Sequence, residues 1–133
     1  MVFVSTRSNE DVVTSAYAIN RGLAKDGGLF VPQEFPQLSM EEIAALGKMS
    51  YQERAVYVLK QFLTDYTEDE LCACVNKAYT TEKFGSNPVP LVQVDENTGV
   101  LELWHGPTSA FKDMALQLLP HLLLEAKKKT GEL

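Results

Sequence analysis

The sequence predicts a mixed, helix-rich α/β fold. Three segments fit the capping-box pattern, in which a serine or threonine stands three residues before a glutamate at a helix start (Ser39-x-x-Glu42, Ser50-x-x-Glu53 and Thr67-x-x-Glu70). Short runs of β-forming residues lie on either side of this helical section. The 133 residues, 45% of them hydrophobic, are enough to bury a core.

The first third of the chain predicts a strand, a helix and a second short apolar run. Val2 to Arg7 is rich in β-formers and predicts a strand. A helical pattern begins at Asp11, and Gly22 suits its end. Paired glycines at 27 and 28 then precede an apolar run that Pro32 stops.

The capping boxes predict helices near 40–47, 51–63 and 68–79. The middle helix carries an apolar stripe with the spacing of one helix face. We therefore expect these helices to pack in a core and to carry no chemistry. The Gly-, Asn- and Pro-containing stretch 84–90 predicts a turn or linker.

The last third predicts a hairpin followed by a helix. Residues 91–94 and 100–104 flank a five-residue loop, 95–99. A helix should begin near Ala110, and Pro120 should kink it or divide it into two. Its apolar residues cover nearly all sides, so it should be buried all round. Either further protein covers it, which we favour, or the N-terminal helices do.

Charge and composition argue against several function classes. The formal net charge of −6 disfavours nucleic-acid and anionic-membrane partners. No apolar run approaches the ~20 residues of a membrane span, and the apolar start is too short for a signal peptide. Cys72 and Cys74 lie two apart on a predicted helix, which suits neither a disulfide framework nor a metal site. We expect reduced cysteines and a cytoplasmic protein.

Lys112 is the candidate for chemistry on pattern alone. It stands where a Gly-Pro loop, His105-Gly-Pro-Thr-Ser109, runs into the apolar helix. One interpretation is a solvated surface lysine beside Asp113. The other is an amine kept neutral by the helix start and by partial burial against Phe111, and so reactive toward an aldehyde. His105 is expected to hold the turn, and Thr108 and Ser109 to cap the helix.

The segment Leu101-Glu-Leu-Trp-His-Gly-Pro-Thr-Ser-Ala-Phe-Lys-Asp-Met-Ala-Leu-Gln117 closely resembles the cofactor-lysine segment of the threonine synthase family. Two further stretches are similar to family motifs and follow in family order, Val4-Ser-Thr-Arg7 and Gly22 to Pro32. Ser8 stands where the family usually has glycine, and Trp104 where it has Phe or Tyr.

The resemblance implies that Lys112 forms a covalent imine with pyridoxal 5'-phosphate and that Phe111 lies against the cofactor. It implies conversion of O-phospho-L-homoserine and water to L-threonine and phosphate, with Lys112 moving protons. It also implies a threonine synthase N-terminal domain at 1–84 and the beginning of a tryptophan-synthase-like, pyridoxal-phosphate-binding domain at 85–133.

The sequence contains no Gly-rich phosphate-binding motif, and no arginine follows Lys112. We therefore expect the isolated chain to be inactive and to need the remainder of a longer chain as its partner. Two alternatives stay open. One is a naturally short binding or regulatory module on the same scaffold, and the other is a pyridoxal-phosphate enzyme for a related phospho-amino acid.

Overall fold

A computed structural model describes residues 1–8 and 10–132, and within them the predicted mixed, helix-rich fold class is confirmed. The elements in chain order are β1 Phe3–Ser5, α1 Ser15–Arg21, β2 Phe30–Pro32, α2 Met40–Leu46, α3 Tyr51–Phe62, α4 Glu68–Ala78, α5 Thr81–Phe84, β3 Leu91–Gln93, β4 Gly99–Leu101, α6 Asp113–Leu116 and α7 Leu119–Thr130.

The first strand pairs with the apolar run that follows the paired glycines. β1 and β2 are antiparallel, with Phe3 opposite Pro32 and Ser5 opposite Phe30. Val13 also pairs with Phe3 through two backbone hydrogen bonds of 2.9 Å. The prediction that α1 begins at Asp11 is therefore wrong, because this pairing holds the chain extended until Thr14 caps the helix.

All three predicted capping boxes are confirmed. In each, the serine or threonine side chain accepts from the backbone of the glutamate three residues on, and that glutamate accepts from the backbone of the cap. The helices they start, α2, α3 and α4, end within one residue of the predicted positions. Local sequence is sufficient here because both partners of each box lie within one turn.

One short helix was not predicted. Thr80 caps α5 by accepting from the backbone N–H of Lys83, and Phe84 at its end is buried. The Gly and Pro residues that follow suggested a linker beginning at Phe84, whereas Phe84 belongs to the core. A four-residue helix has too few residues to show an apolar period.

The described core lies where α1, α3, α4 and α7 meet. Leu71, Val75 and Ala78 of α4 form its centre and have no exposed area. Around them pack Ala16, Val56, Leu63, Tyr66, Cys74, Tyr79, Phe84, Leu118, Leu122 and Ala126. Side chains from both sides of residue 84 thus share this core, and the division into domains at 84 stays a prediction.

Two tyrosines attach the C-terminal helices to this core. The hydroxyl of Tyr79 donates to the carbonyl of Met114 at 2.6 Å, and the hydroxyl of Tyr66 donates to the carbonyl of Leu122 at 3.0 Å. Burial raises the pKa of both phenols, so both remain donors at neutral pH.

Pro120 divides the C-terminal segment, as the sequence suggested. α6 ends at Leu116, and Pro120 lies in the first turn of α7, where its missing N–H costs nothing. The α7 helix packs on α1 and α4 with one face, through Leu122 and Ala126. Leu116, Leu119 and Leu124 remain exposed. The alternative that the N-terminal helices cover all sides of this segment is therefore wrong for the described residues, and the exposure is what we expect if further protein covers it.

The predicted hairpin is confirmed and stands apart from the core. β3 and β4 are antiparallel, with Leu91 opposite Leu101 and Gln93 opposite Gly99. Every residue of the two strands is exposed. Across residues 1–8 and 10–132, no helix combines the length and hydrophobicity needed to cross a bilayer.

Candidate functional site

The loop between β4 and α6 is a compact turn built around a glycine. Gly106 is buried, and a Cβ atom placed on it would lie 2.4 Å from the Cβ of Asp113. The N–H of Ser109 donates to the carbonyl of Gly106 at 3.1 Å. Ser109 adopts a φ of 56°, which non-glycine residues seldom adopt. The turn therefore requires a residue without a side chain at 106.

Lys112 directly precedes the first residue of α6. Its backbone is already helical, its side chain makes no capping hydrogen bond, and it is exposed. The predicted position at a helix start is confirmed, although α6 begins at Asp113 and not near Ala110. A four-residue helix carries only a small dipole, so its effect on the amine is weaker than the sequence suggested.

Phe111, expected to shield the amine, is 67% exposed. The partial burial predicted for Lys112 is therefore not observed within the described residues, because none of them covers the outer side of this turn. Lys112 and Phe111 are consecutive residues of the turn, and both are exposed. Trp104 and Leu116, also exposed, lie in the neighbouring sequence on either side.

Asp113 is the buried charge of this region, and sequence reasoning missed it. It has no exposed area, and its Oδ2 accepts from the backbone N–H of Thr108 at 2.7 Å and from the Thr108 hydroxyl at 2.9 Å. Desolvation acts to raise the pKa of Asp113, but these hydrogen bonds outweigh it and hold the pKa below its usual value.

The prediction that Thr108 and Ser109 cap the helix is wrong. The cap position belongs to Lys112, and the Thr108 hydroxyl is committed to Asp113. A threonine hydroxyl before a helix can cap that helix or close the loop before it, and the local sequence does not distinguish these two roles.

His105 interacts with two of the residues that directly follow β4. Its Nε2 lies 2.6 Å from Oε2 of Glu102, and its ring stacks on that of Trp104 with centroids 5.8 Å apart. These contacts agree with the expectation that His105 holds the turn. Within residues 1–8 and 10–132, no three His, Cys, Asp or Glu residues are grouped to hold a metal ion.

Residues 2–79 match the sequence profile of the threonine synthase N terminus. The chain is 40% identical over 134 residues to threonine synthase of Pseudomonas aeruginosa, covering 99% of this chain and 28% of that protein. It is 39% identical over 131 residues to human threonine synthase-like 1, covering 90% of this chain and 18% of that protein.

A solved structure is also similar to this chain. The crystal structure of PLP-bound threonine synthase from Brucella melitensis superposes with a TM-score of 0.90 at 43% identity, covering 98% of this chain and 28% of that one. The chain thus spans less than a third of the length of each of these relatives. Because more than half of its residues match the family profile, the chain belongs to the threonine synthase family, in the part that forms the N terminus.

Proposed function

We propose that this chain is the N-terminal part of a threonine synthase that converts O-phospho-L-homoserine and water to L-threonine and phosphate. The observation that carries the proposal is the 43% identity and TM-score of 0.90 to a PLP-bound threonine synthase over 98% of the chain. A match of this extent covers the lysine segment as well as the N-terminal motifs.

The described residues provide groups suited to the aldehyde and the ring of pyridoxal phosphate. This cofactor, when bound, supplies an aldehyde for an amine and an electron sink for carbanion chemistry. The exposed Lys112 amine is unused by any capping bond, and the exposed Phe111 ring can lie against a planar ring. We propose Lys112 as the cofactor-binding and catalytic residue and Phe111 as a cofactor contact.

Lys112 would also move protons at the carbon atoms next to the reacting centre. Asp113 and Gly106 hold the turn, and so they limit where the Lys112 side chain begins. Proton transfer to a particular atom requires the amine to be positioned in this way. Phe111 would exclude water from that side.

The cofactor phosphate needs a cradle of backbone amides that the described residues do not offer. We propose that residues 1–84 form the N-terminal domain and that 85–133 begin the cofactor domain. The remainder of the longer chain would supply the cradle and cover the exposed hairpin face and Leu116, Leu119 and Leu124. The isolated 133-residue chain is accordingly expected to be inactive.

The remaining features support a protein that acts on small molecules. A net charge of −6 disfavours nucleic-acid and membrane partners. Cys72 and Cys74 are free thiols, which supports a reducing compartment, and we propose the cytoplasm.

Two other functions remain as alternatives. A short regulatory module would have a stop codon soon after Leu133, and a threonine synthase would not, so the gene sequence separates them. The second alternative is an enzyme that acts on a related phospho-amino acid. Turnover assays with several phospho-amino acids would distinguish it from a threonine synthase.

The proposal is tested in the full-length protein by comparing Lys112→Ala and Lys112→Arg with Lys48→Ala, an exposed lysine at the end of α2. Both Lys112 variants should lose O-phosphohomoserine turnover by at least about 10³-fold while retaining native circular dichroism. Arginine should not restore activity because a guanidinium stays protonated. Near-normal turnover by either Lys112 variant would refute the role of Lys112.

A further inference from the structure

We propose that Asp113 is a positioning residue, whose buried carboxylate fixes the turn 106–112 and thereby sets the backbone from which Lys112 projects. The inference rests on the proposed role of Lys112. It concerns a residue that is enclosed by its own loop and cannot meet a ligand in this arrangement.

One carboxylate oxygen closes the turn. Both donors of Thr108, its backbone N–H and its hydroxyl, converge on Oδ2 of Asp113 at 2.7 and 2.9 Å. The N–H of Asp113 donates to the carbonyl of Ala110 at 3.0 Å, which closes the other side. Hydrogen bonds to an ionised acceptor are about twice as strong as neutral ones. The link is therefore a strong local connection between the loop and α6.

Two further observations constrain the conformation of the turn. Gly106 lies so close to Asp113 that even a methyl group would overlap its side chain. Ser109 holds a φ of 56°, a conformation that persists only when its surroundings determine it. The residue between this constrained turn and α6 is Lys112, so its Cα position is determined by the carboxylate.

A second feature distinguishes Asp113 from a carboxylate that only closes a loop. Its other oxygen, Oδ1, is buried and has no hydrogen-bond partner among the described residues. The side chain of Gln117, one turn on, is close enough to favour the ionised form but does not make a hydrogen bond to Oδ1. A buried carboxylate in which one oxygen has no hydrogen bond costs folding free energy. Its cost is accounted for if the carboxylate is needed to fix the turn that carries Lys112.

The test uses the full-length protein loaded with pyridoxal phosphate. Asp113→Asn keeps the shape and one acceptor for Thr108 but removes the charge. Asp11→Asn, at an exposed position far along the chain, is the matched control for loss of one negative charge. We expect Asp113→Asn to lower kcat by about 10²-fold, the cost of a displacement near 1 Å, with KM changed much less.

Amide hydrogen exchange reports on the turn without turnover. Exchange should accelerate at 106–112 in Asp113→Asn, remain unchanged in α4, and remain unchanged at both places in Asp11→Asn. A lower kcat with a nearly unchanged KM and unchanged exchange in α4 separates a displaced Lys112 from a general loss of stability.

A second pair of variants keeps the test valid if Asp113→Asn fails to fold. Thr108→Val removes the hydroxyl donor but leaves the carboxylate, and should lower kcat in the same direction by a smaller factor. Thr108→Ser should recover most of that loss. Wild-type kcat and wild-type amide exchange at 106–112 in both Asp113→Asn and Thr108→Val would overturn the inference. So would a Thr108→Ser variant as impaired as Thr108→Val.

Failure of the inference is distinguishable from failure of the proposed function. Borohydride reduction followed by peptide mass analysis identifies the lysine that holds the cofactor. Trapping on a lysine other than Lys112 in the wild type would refute both. Trapping on Lys112 together with unaffected Asp113 and Thr108 variants would refute only the positioning role.

Discussion

Removing the hydroxyl of Tyr79 should destabilise the chain more than removing that of Tyr66, although both side chains are 5% exposed. The difference lies in the acceptors. Tyr66 donates to the carbonyl of Leu122, inside α7, which keeps its place in the helical ladder. Tyr79 donates to the carbonyl of Met114, for which no backbone N–H of the described residues is a donor.

The expected magnitudes follow from that contrast. Losing a hydrogen bond whose acceptor keeps a partner costs about 0.5–1.5 kcal/mol. Leaving the part-buried Met114 carbonyl without a protein partner costs more, about 1–3 kcal/mol. We expect Tyr66→Phe to fall in the first range and Tyr79→Phe in the second, which for a chain of this length lowers Tm by about 4 °C per kcal/mol. Phenylalanine keeps the ring contacts of Tyr79 with Tyr51 and Phe84.

Urea denaturation of the 133-residue chain, followed by far-ultraviolet circular dichroism at pH 7, measures both variants. Tyr17→Phe is the matched control, because the Tyr17 hydroxyl makes no hydrogen bond within residues 1–8 and 10–132, and phenylalanine keeps the edge-on contact of its ring with Phe30. It should change the free energy of unfolding by less than about 0.5 kcal/mol. Equal midpoints for Tyr79→Phe and Tyr66→Phe, or for all three variants, would refute the reasoning.

Three further perturbations test other parts of the structure. Gly106→Ala should cost about 1–3 kcal/mol through overlap with Asp113 and speed amide exchange in the turn, and an unchanged exchange pattern would contradict the close approach. Thr67→Ala should cost about 1 kcal/mol through loss of a helix cap, measured by the urea midpoint, and no shift would mean that the cap is dispensable. Backbone hydrogen bonds from the cap residues lower the pKa of Glu42 and Glu53 in the folded chain. The two ionised glutamates therefore stabilise the fold fully above the unfolded pKa of about 4.3, and this contribution is lost as pH falls through the lower folded pKa. The double variant Glu42→Gln, Glu53→Gln should show a shallower loss of stability below pH 5 than the wild type, and an identical acid profile would refute that assignment.

The sequence by itself determined the features whose partners lie within one turn or one hairpin. The three capping boxes appeared where serine or threonine and glutamate stood three apart, and Pro120 divided the last helix. Each of these depends on a local hydrogen bond or a fixed φ, which neighbours along the chain alone can specify. The sequence also placed Lys112 close to a helix start, but it put that start near Ala110, whereas α6 begins at Asp113.

Other features depended on residues far apart in the chain, and only the tertiary structure decided them. Asp11 to Val13 carry a helical pattern, yet Val13 pairs with Phe3 because β1 lies alongside and offers two backbone hydrogen bonds. The apolar α7 is buried on one face and exposed on the other, because α1 and α4 reach only one side of it. Lys112 and Phe111 are exposed for a similar reason, since no described residue covers that turn. Asp113, which in sequence is one more charge beside a lysine, is buried because Thr108 and Gly106 close the loop over it. Burial is a property of the packed chain, and a residue's neighbours in sequence do not fix it.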